Sequence, residues 1–203
     1  MSSQRRTLIA MPAGVLLLVA LLLAILLTKG SSPHSTPSRF DGAALPAGIQ
    51  APNFSLADQR GQSISLRSLR GQPVLIAFLY STCGATCFVI SQQIRGALDE
   101  LSKPATVLFI SANPAADTPA RIRSFLSQAS LAGRVLYLTG TTSQLKAVWH
   151  AYNITPASAG KQQFDKHASL LLLDSQGHER VLYGQEQLTP ESLSHDIRLL
   201  QTP

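Results

Sequence analysis

Only two thiols occur in this chain of 203 residues, Cys83 and Cys87, and three residues separate them. Such a pair suits three chemistries: a structural disulfide, thiol-disulfide exchange, or two thiolates converging on one soft metal ion. A pair cannot serve as the disulfide framework of a small secreted fold, because the count is too low and a chain of this length can bury a core without one. The pair follows an apolar run, Val74 to Tyr80, and leads into a pattern with apolar positions at Val89, Ile90, Ile94, Ala97, Leu98 and Leu101. That is a strand passing into a helix. If the helix begins near Cys83, positions four apart share one helical face, and the positive helix N-terminus favours thiolates there.

A third ligand would separate metal binding from the other two chemistries, and five histidines are available. His34 lies in a stretch rich in Ser and Pro, His178 follows the Gly177 turn, and His195 is on the last helical pattern; all three read as solvated surface. His150, beside Trp149, reads as a packing or surface residue. His167 stands just before an apolar strand, Ser169 to Asp174, that belongs beside the strand ending at Cys83. It is the best candidate. Two thiolates and one imidazole form a soft set of three donors that suits Cu(I) and is tolerable for Cu(II). Zinc accepts the same donors, but a structural zinc site normally closes with four. The only methionines, Met1 and Met11, fall in the N-terminal apolar segment, which leaves no thioether ligand.

The elements that must position these residues alternate between strand and helix. Phe54 to Asp58 and Ser63 to Leu66 alternate in period two around Gln59 to Gln62, which predicts a short hairpin. After the strand at Val74 to Tyr80 and the helix behind the cysteines come a strand at Thr106 to Ser111 and a helix opened by Asp117-Thr118-Pro119. A strand near Val135 to Leu138 and a helix from about Ser143 to Tyr152 follow. An irregular polar stretch then leads to the strand at Ser169, a turn at Ser175 to Gly177, a strand at Arg180 to Tyr183 and a helix from Pro190 to Leu200. The expected fold is α/β, thioredoxin-like, with an N-terminal hairpin extension.

Ahead of this domain, Arg5 and Arg6 precede an uncharged run from Leu8 to Leu27 that ends at Lys29. About 20 apolar residues suffice to cross a bilayer as one helix. A cleaved signal would carry a shorter apolar core and a small-residue cleavage site, and Thr28-Lys29-Gly30 does not provide one. The reading is therefore a membrane anchor over 1–29, a flexible Ser- and Pro-rich tether over 30–50, and one folded domain over 51–203. Positive charge at the inner side places the domain outside the cytoplasm. With no long presequence, a single-pass protein of a bacterial inner membrane with a periplasmic domain is the expectation. The formal charge of +6 does not indicate nucleic acid, since Arg5, Arg6 and Lys29 supply half of it and the other basic residues are scattered.

The exported part resembles the Sco/SenC family of thioredoxin-like proteins. The resemblance runs through Pro52-Asn-Phe-Ser-Leu with Gly61, then from Gly71 to Cys83, and through Ser111 to Pro119. It resumes at Tyr152-Asn-Ile and at Asp165-Lys-His167, with Asp174 and Gly177 closing the strand. It implies that Cys83, Cys87 and His167 are copper ligands. It also implies that the protein is a metallochaperone delivering copper to the CuA site of cytochrome c oxidase, with oxidase subunit II or another copper-accepting membrane protein as its partner. Transfer of this kind needs no enzymatic turnover. The alternative is a membrane-anchored thiol-disulfide reductase in which Cys83 and Cys87 form a redox-active disulfide. The chain departs from the family where proline usually follows each cysteine, since Gly84 and Phe88 stand there, and where Asn113 replaces an acidic residue.

Overall fold

The structure, a computed structural model, describes Leu18, Leu21, Leu22, residues 39–160, Phe164, Asp165 and residues 168–202. The chain divides into two compact units, Met1–Pro37 and Ser38–Pro203. In the first, the three described leucines are helical and exposed. The rest of the apolar run read as a membrane anchor lies outside the described residues. Among the described residues no helix is long and apolar enough to cross a membrane.

The second unit is built on β4 (Val74–Leu79), six residues without a polar side chain and buried throughout. A strand covered on both faces needs such a run, because its odd and even positions point to opposite layers. β4 pairs in parallel with β5 (Thr106–Ser111), which pairs in parallel with β6 (Leu136–Leu138). On its other side β4 runs antiparallel to β7 (Ser169–Leu173), followed by β8 (Glu179–Gly184) and β1 (Ala43–Ala44). A separate hairpin, β2 (Ser55–Ala57) with β3 (Ser63–Ser65), joins the end of β6 through paired hydrogen bonds between Ala57 and Thr139. Asp58 fixes its turn by accepting the N–H groups of Arg60 and Gln62, each at 2.8 Å.

Leu75, Ala77 and Leu79 of β4 face one core, shared with α1 (Ala85–Glu100), α2 (Pro119–Gln128) and α4 (Pro190–Gln201). Val74, Ile76 and Phe78 face the other, closed by the hairpin and by α3 (Thr142–Ala151) with its Trp149. Three of these helices begin where side-chain acceptors stand: Thr118 caps α2 ahead of Pro119, and Thr141 and Thr189 close capping boxes on α3 and α4.

Two boundaries differ from the sequence reading. The tether expected over 30–50 gives way to folded chain from Arg39, since Ala43 and Ala44 add β1 to the sheet edge and Gln50 bridges His178. Two exposed alanines carry no hydrophobic pattern, so this strand is specified by its partners. The helix expected to begin near Cys83 begins at Ala85, with Gly84 as its N-cap and Cys83 in the turn before it.

Candidate metal centre

β4 delivers the chain to the site in three residues. Beyond Leu79, the Ser81 N–H donates to Asp117 Oδ1 at 2.7 Å, and the Cys83 N–H turns back to the Tyr80 carbonyl at 3.1 Å. Gly84 then takes φ +82° and ψ −141°. That conformation is open to glycine and closed to proline, whose φ is fixed near −65°. The absence of the usual proline is therefore written into the backbone of this turn. Among the described residues, no atom beyond its two chain neighbours lies within 4 Å of where a Gly84 Cβ would sit, so conformation and not space selects glycine here.

Cys83 and Cys87 are joined as a disulfide, with Cα atoms 5.8 Å apart. The Cys87 N–H, one of the free donors at the start of α1, points at Cys83 Sγ from 3.1 Å. Both cysteines are fully buried, while Thr82, Gly84 and Ala85 above them are exposed and Phe88 and Val89 present apolar surface beside them. Opening the disulfide by reduction would leave two soft donors at a helix N-terminus that favours negative sulfur. This donor set fits a thiophilic ion such as copper.

His167 lies outside the described residues. Its described neighbours do not leave the site: Phe164 and Ala168 are buried in the same core cluster as Cys83, Cys87 and Tyr80. The β4–β7 ladder ends at Ala77 and Leu170, three residues short of His167. A solvent-open depression of about 550 Å³ is lined by Asp165, Ala168 and residues 184–187. Of the other histidines, His150 is exposed and His178 sits 3.4 Å from Asp174. His195, read from sequence as solvated surface, is half-buried between Asp196 Oδ1 at 3.0 Å and Asp41 Oδ2 at 3.3 Å. The Asp196 oxygens also accept the N–H groups of Asp41 and Gly42 and the Tyr183 hydroxyl, so this group of side chains serves the N-terminal junction.

The residue that sequence reasoning undervalued is Asp117, which it used only to open a helix. Asp117 is buried and collects the Ser81 N–H on one oxygen, and the Ser111 hydroxyl at 2.6 Å and the Tyr137 hydroxyl at 2.8 Å on the other. It thereby ties the ends of β4, β5 and β6 together directly beneath the cysteine turn. Burial, and then the charge of Asp117, push the Tyr137 phenol well above its usual range, so that it stays a donor. Ser111 extends the tie, because its carbonyl accepts the Trp149 indole N–H at 2.9 Å.

Comparison with known proteins bears on this arrangement. The family model for SCO1/SenC matches residues 43–201. Protein SenC of Rhodobacter capsulatus is 29% identical over 153 residues, 74% of this chain and 68% of its own length. Among solved structures, Bradyrhizobium japonicum ScoI with copper bound is 28% identical, covers 75% of this chain and 99% of its own, and superposes with a TM-score of 0.57. Yeast Sco1 reaches a TM-score of 0.64 at 23% identity, over 76% of this chain and 95% of its own, and shows the shared thioredoxin-like fold. With the strand-to-helix cysteine turn and the match across nearly the whole folded unit, the chain belongs to the SCO1/SenC family.

Proposed function

We propose that this chain is a membrane-anchored copper metallochaperone that holds copper through Cys83, Cys87 and His167 and passes it to the CuA site of cytochrome c oxidase. The observation that carries the reading is the cysteine pair: two buried sulfurs where a central strand turns into α1, Cys83 in the turn and Cys87 in the first turn of the helix, with the Cys87 N–H aimed at Cys83 Sγ. The copper-bound ScoI relative supports the choice of metal. The disulfide must first be reduced to two thiols by an external dithiol, which supplies the two electrons and two protons by thiol-disulfide exchange and leaves as a disulfide. Binding then displaces the thiol protons, and the N–H at Cys83 Sγ steadies the charge left on that sulfur. Delivery is ligand exchange onto an accepting site that offers its own thiolates and imidazoles, as expected of oxidase subunit II.

The test is copper stoichiometry of the reduced protein under a competing Cu(I) chelator, wild type against His167→Ala. The expected result is one tightly held copper that weakens sharply in the variant. If the reduced, folded wild type holds no copper, the delivery reading falls and thiol-disulfide exchange takes its place. The anchor over Leu8 to Leu27 belongs to the same proposal, with the domain in the periplasm. Alkaline extraction should leave the full chain in the membrane fraction, and its release would sink the anchor.

A further inference from the structure

We infer that the end of the folded unit opposite the cysteine turn is a docking face for anionic lipid headgroups, so that the cysteines are presented away from the bilayer. This rests on the reading of Leu8 to Leu27 as a membrane anchor. Basic residues that are scattered along the sequence converge in space around the turn between β7 and β8, Ser175-Gln176-Gly177. Three shallow depressions meet at that turn. Arg39 and Arg180 line the first, Lys103 the second, and Arg67 and Arg70 the third. Backbone hydrogen bonds hold the cluster together: the Gly71 N–H donates to the Ser175 carbonyl at 2.8 Å, and the Ala51 N–H to the Gly177 carbonyl at 3.0 Å.

Asp174 is the one acid that lines any of the three depressions, and it is already engaged. Its carboxylate accepts the N–H groups of Gln176 and His178, each at 2.9 Å, and pairs with Arg180 at 3.2 Å. Among the described residues, Arg39, Arg67, Arg70 and Lys103 pair with no carboxylate, and all four are exposed. The cysteine end has the opposite character. From Gly71 to Ile94 the sequence holds no charged residue, and Phe88 and Val89 expose apolar surface there. β4 spans the two ends, since Pro73 lines the Lys103 depression and Tyr80 leads into the cysteine turn. Six residues of strand at about 3.3 Å each put about 20 Å between them.

The point of entry of the chain identifies what the basic end meets. Folded chain begins with Arg39 and Phe40, and both line the first depression. Only residues 28–38 separate Leu27 from Arg39. At about 3.6 Å per residue, a chain of that length holds Arg39 within about 40 Å of the bilayer even at full extension. A bilayer tethered so closely is present at high effective concentration, and an anionic surface attracts the basic end towards it. Each Lys or Arg near such a surface contributes about fivefold to the docked population. Docking in this orientation turns the uncharged cysteine end towards an acceptor that projects from the membrane.

The test places the full chain in nanodiscs that contain a lipid with a paramagnetic headgroup, and it reads the broadening of backbone amide signals. The discs are made of phosphatidylcholine, or of equal parts phosphatidylcholine and phosphatidylglycerol. In the anionic discs the amides of Gln176 and Thr202 should broaden strongly, while those of Gly84 and Ala85 stay sharp. In phosphatidylcholine, or at about 1 M salt, where the screening length is about 3 Å, the basic end should broaden no more than the cysteine turn. Lys103→Gln should lower the ratio of docked to undocked unit about fivefold. Arg39→Gln, Arg70→Gln and Lys103→Gln combined should abolish the dependence on lipid charge.

Equal broadening at the two ends in anionic discs, or stronger broadening at the cysteine turn, would overturn the inference. So would the same broadening at Gln176 in both lipids or at both salt concentrations. These comparisons are made on the wild type, so they decide the matter even if the combined variant does not fold. Failure of the anchor reading is seen separately: alkaline extraction would then release the chain, and the inference would fall with it. A chain retained through extraction that shows no broadening dependent on lipid charge sinks the docking face alone.

Discussion

Asp117 and Asp196 are two buried carboxylates that do similar work in different places. Each takes the hydroxyl of a buried tyrosine, Tyr137 for Asp117 and Tyr183 for Asp196, and each holds the backbone of a segment distant in sequence, Asp117 through one N–H group and Asp196 through two. Asp117 holds Ser81, two residues before Cys83, at the carboxyl ends of the central strands. Asp196, on α4, holds Asp41 and Gly42, where the chain first enters the folded unit just before the edge strand β1. The same device thus secures a functional turn in one region and a structural edge in the other. A negative oxygen accepts several donors at once and brings to one point chain segments with no hydrophobic reason to meet. Damage at the edge should cost stability alone, whereas damage beneath the turn should cost stability and copper together.

The largest effect should come from removing either carboxylate. Asp117→Ala leaves the Ser81 N–H and the Ser111 and Tyr137 hydroxyls without their acceptor, at about 1–3 kcal/mol for each buried donor left unpaired. A loss of about 3 kcal/mol or more is expected in denaturant unfolding, with copper affinity falling alongside. Asp196→Ala strands a comparable set of donors and should destabilise by a similar amount, yet its folded fraction should keep wild-type copper affinity. Equal loss of copper in the two variants, measured on folded protein, would erase the distinction between the regions.

Gly42→Ala sharpens the comparison by loading the edge alone. A Cβ at position 42 would lie 2.5 Å from Val181 Cγ1 and 2.8 Å from the Tyr183 ring, so neighbouring side chains or the N-terminal segment must move. Overpacking of this kind costs about 1–3 kcal/mol. The amides of Asp41 and Gly42 should exchange faster with solvent while the copper titration remains unchanged. Slow exchange at those amides together with wild-type stability would show that the N-terminal junction tolerates the extra methyl group.

The two regions also differ in how far their sequences announce them. β4, β5 and the helix behind the cysteines are legible because hydrophobic periodicity is local, and Thr118-Pro119 announces a helix start by its own chemistry. The cysteine pair was legible as chemistry from its count and spacing. Neither Ala43-Ala44 nor the part played by Asp196 could be read in that way, because β1 is defined by a carboxylate about 155 residues away and by the edge of β8. Asp117 lies between these extremes. Its helix-opening place was visible, but its contacts to Ser81 and Tyr137 appear only when three strand ends are brought together. Phe164 was hidden in a polar stretch, where one aromatic residue makes no pattern.

The smallest effect, and the one that compares the two devices most directly, should come from the tyrosines. Burial first, and then the neighbouring aspartate, push the phenols of both Tyr137 and Tyr183 above the ordinary tyrosine range. A raised value in the folded state means that the stabilising contribution is complete below about pH 10, where the unfolded chain also keeps its protons. Above that pH the unfolded tyrosine ionises while the folded one does not, and stability falls by up to about 1.4 kcal/mol per pH unit for each tyrosine. Tyr137→Phe and Tyr183→Phe should each cost about 1 kcal/mol at neutral pH, since the aspartates keep their other donors. Each should also flatten the decline measured by denaturant unfolding between about pH 10 and 11.5 by one proton's worth. Copper affinity at neutral pH should fall slightly in Tyr137→Phe, whose ring backs the cysteine turn through Asp117, and not at all in Tyr183→Phe. An alkaline decline as steep in either variant as in wild type would mean that its phenol is not held by the fold.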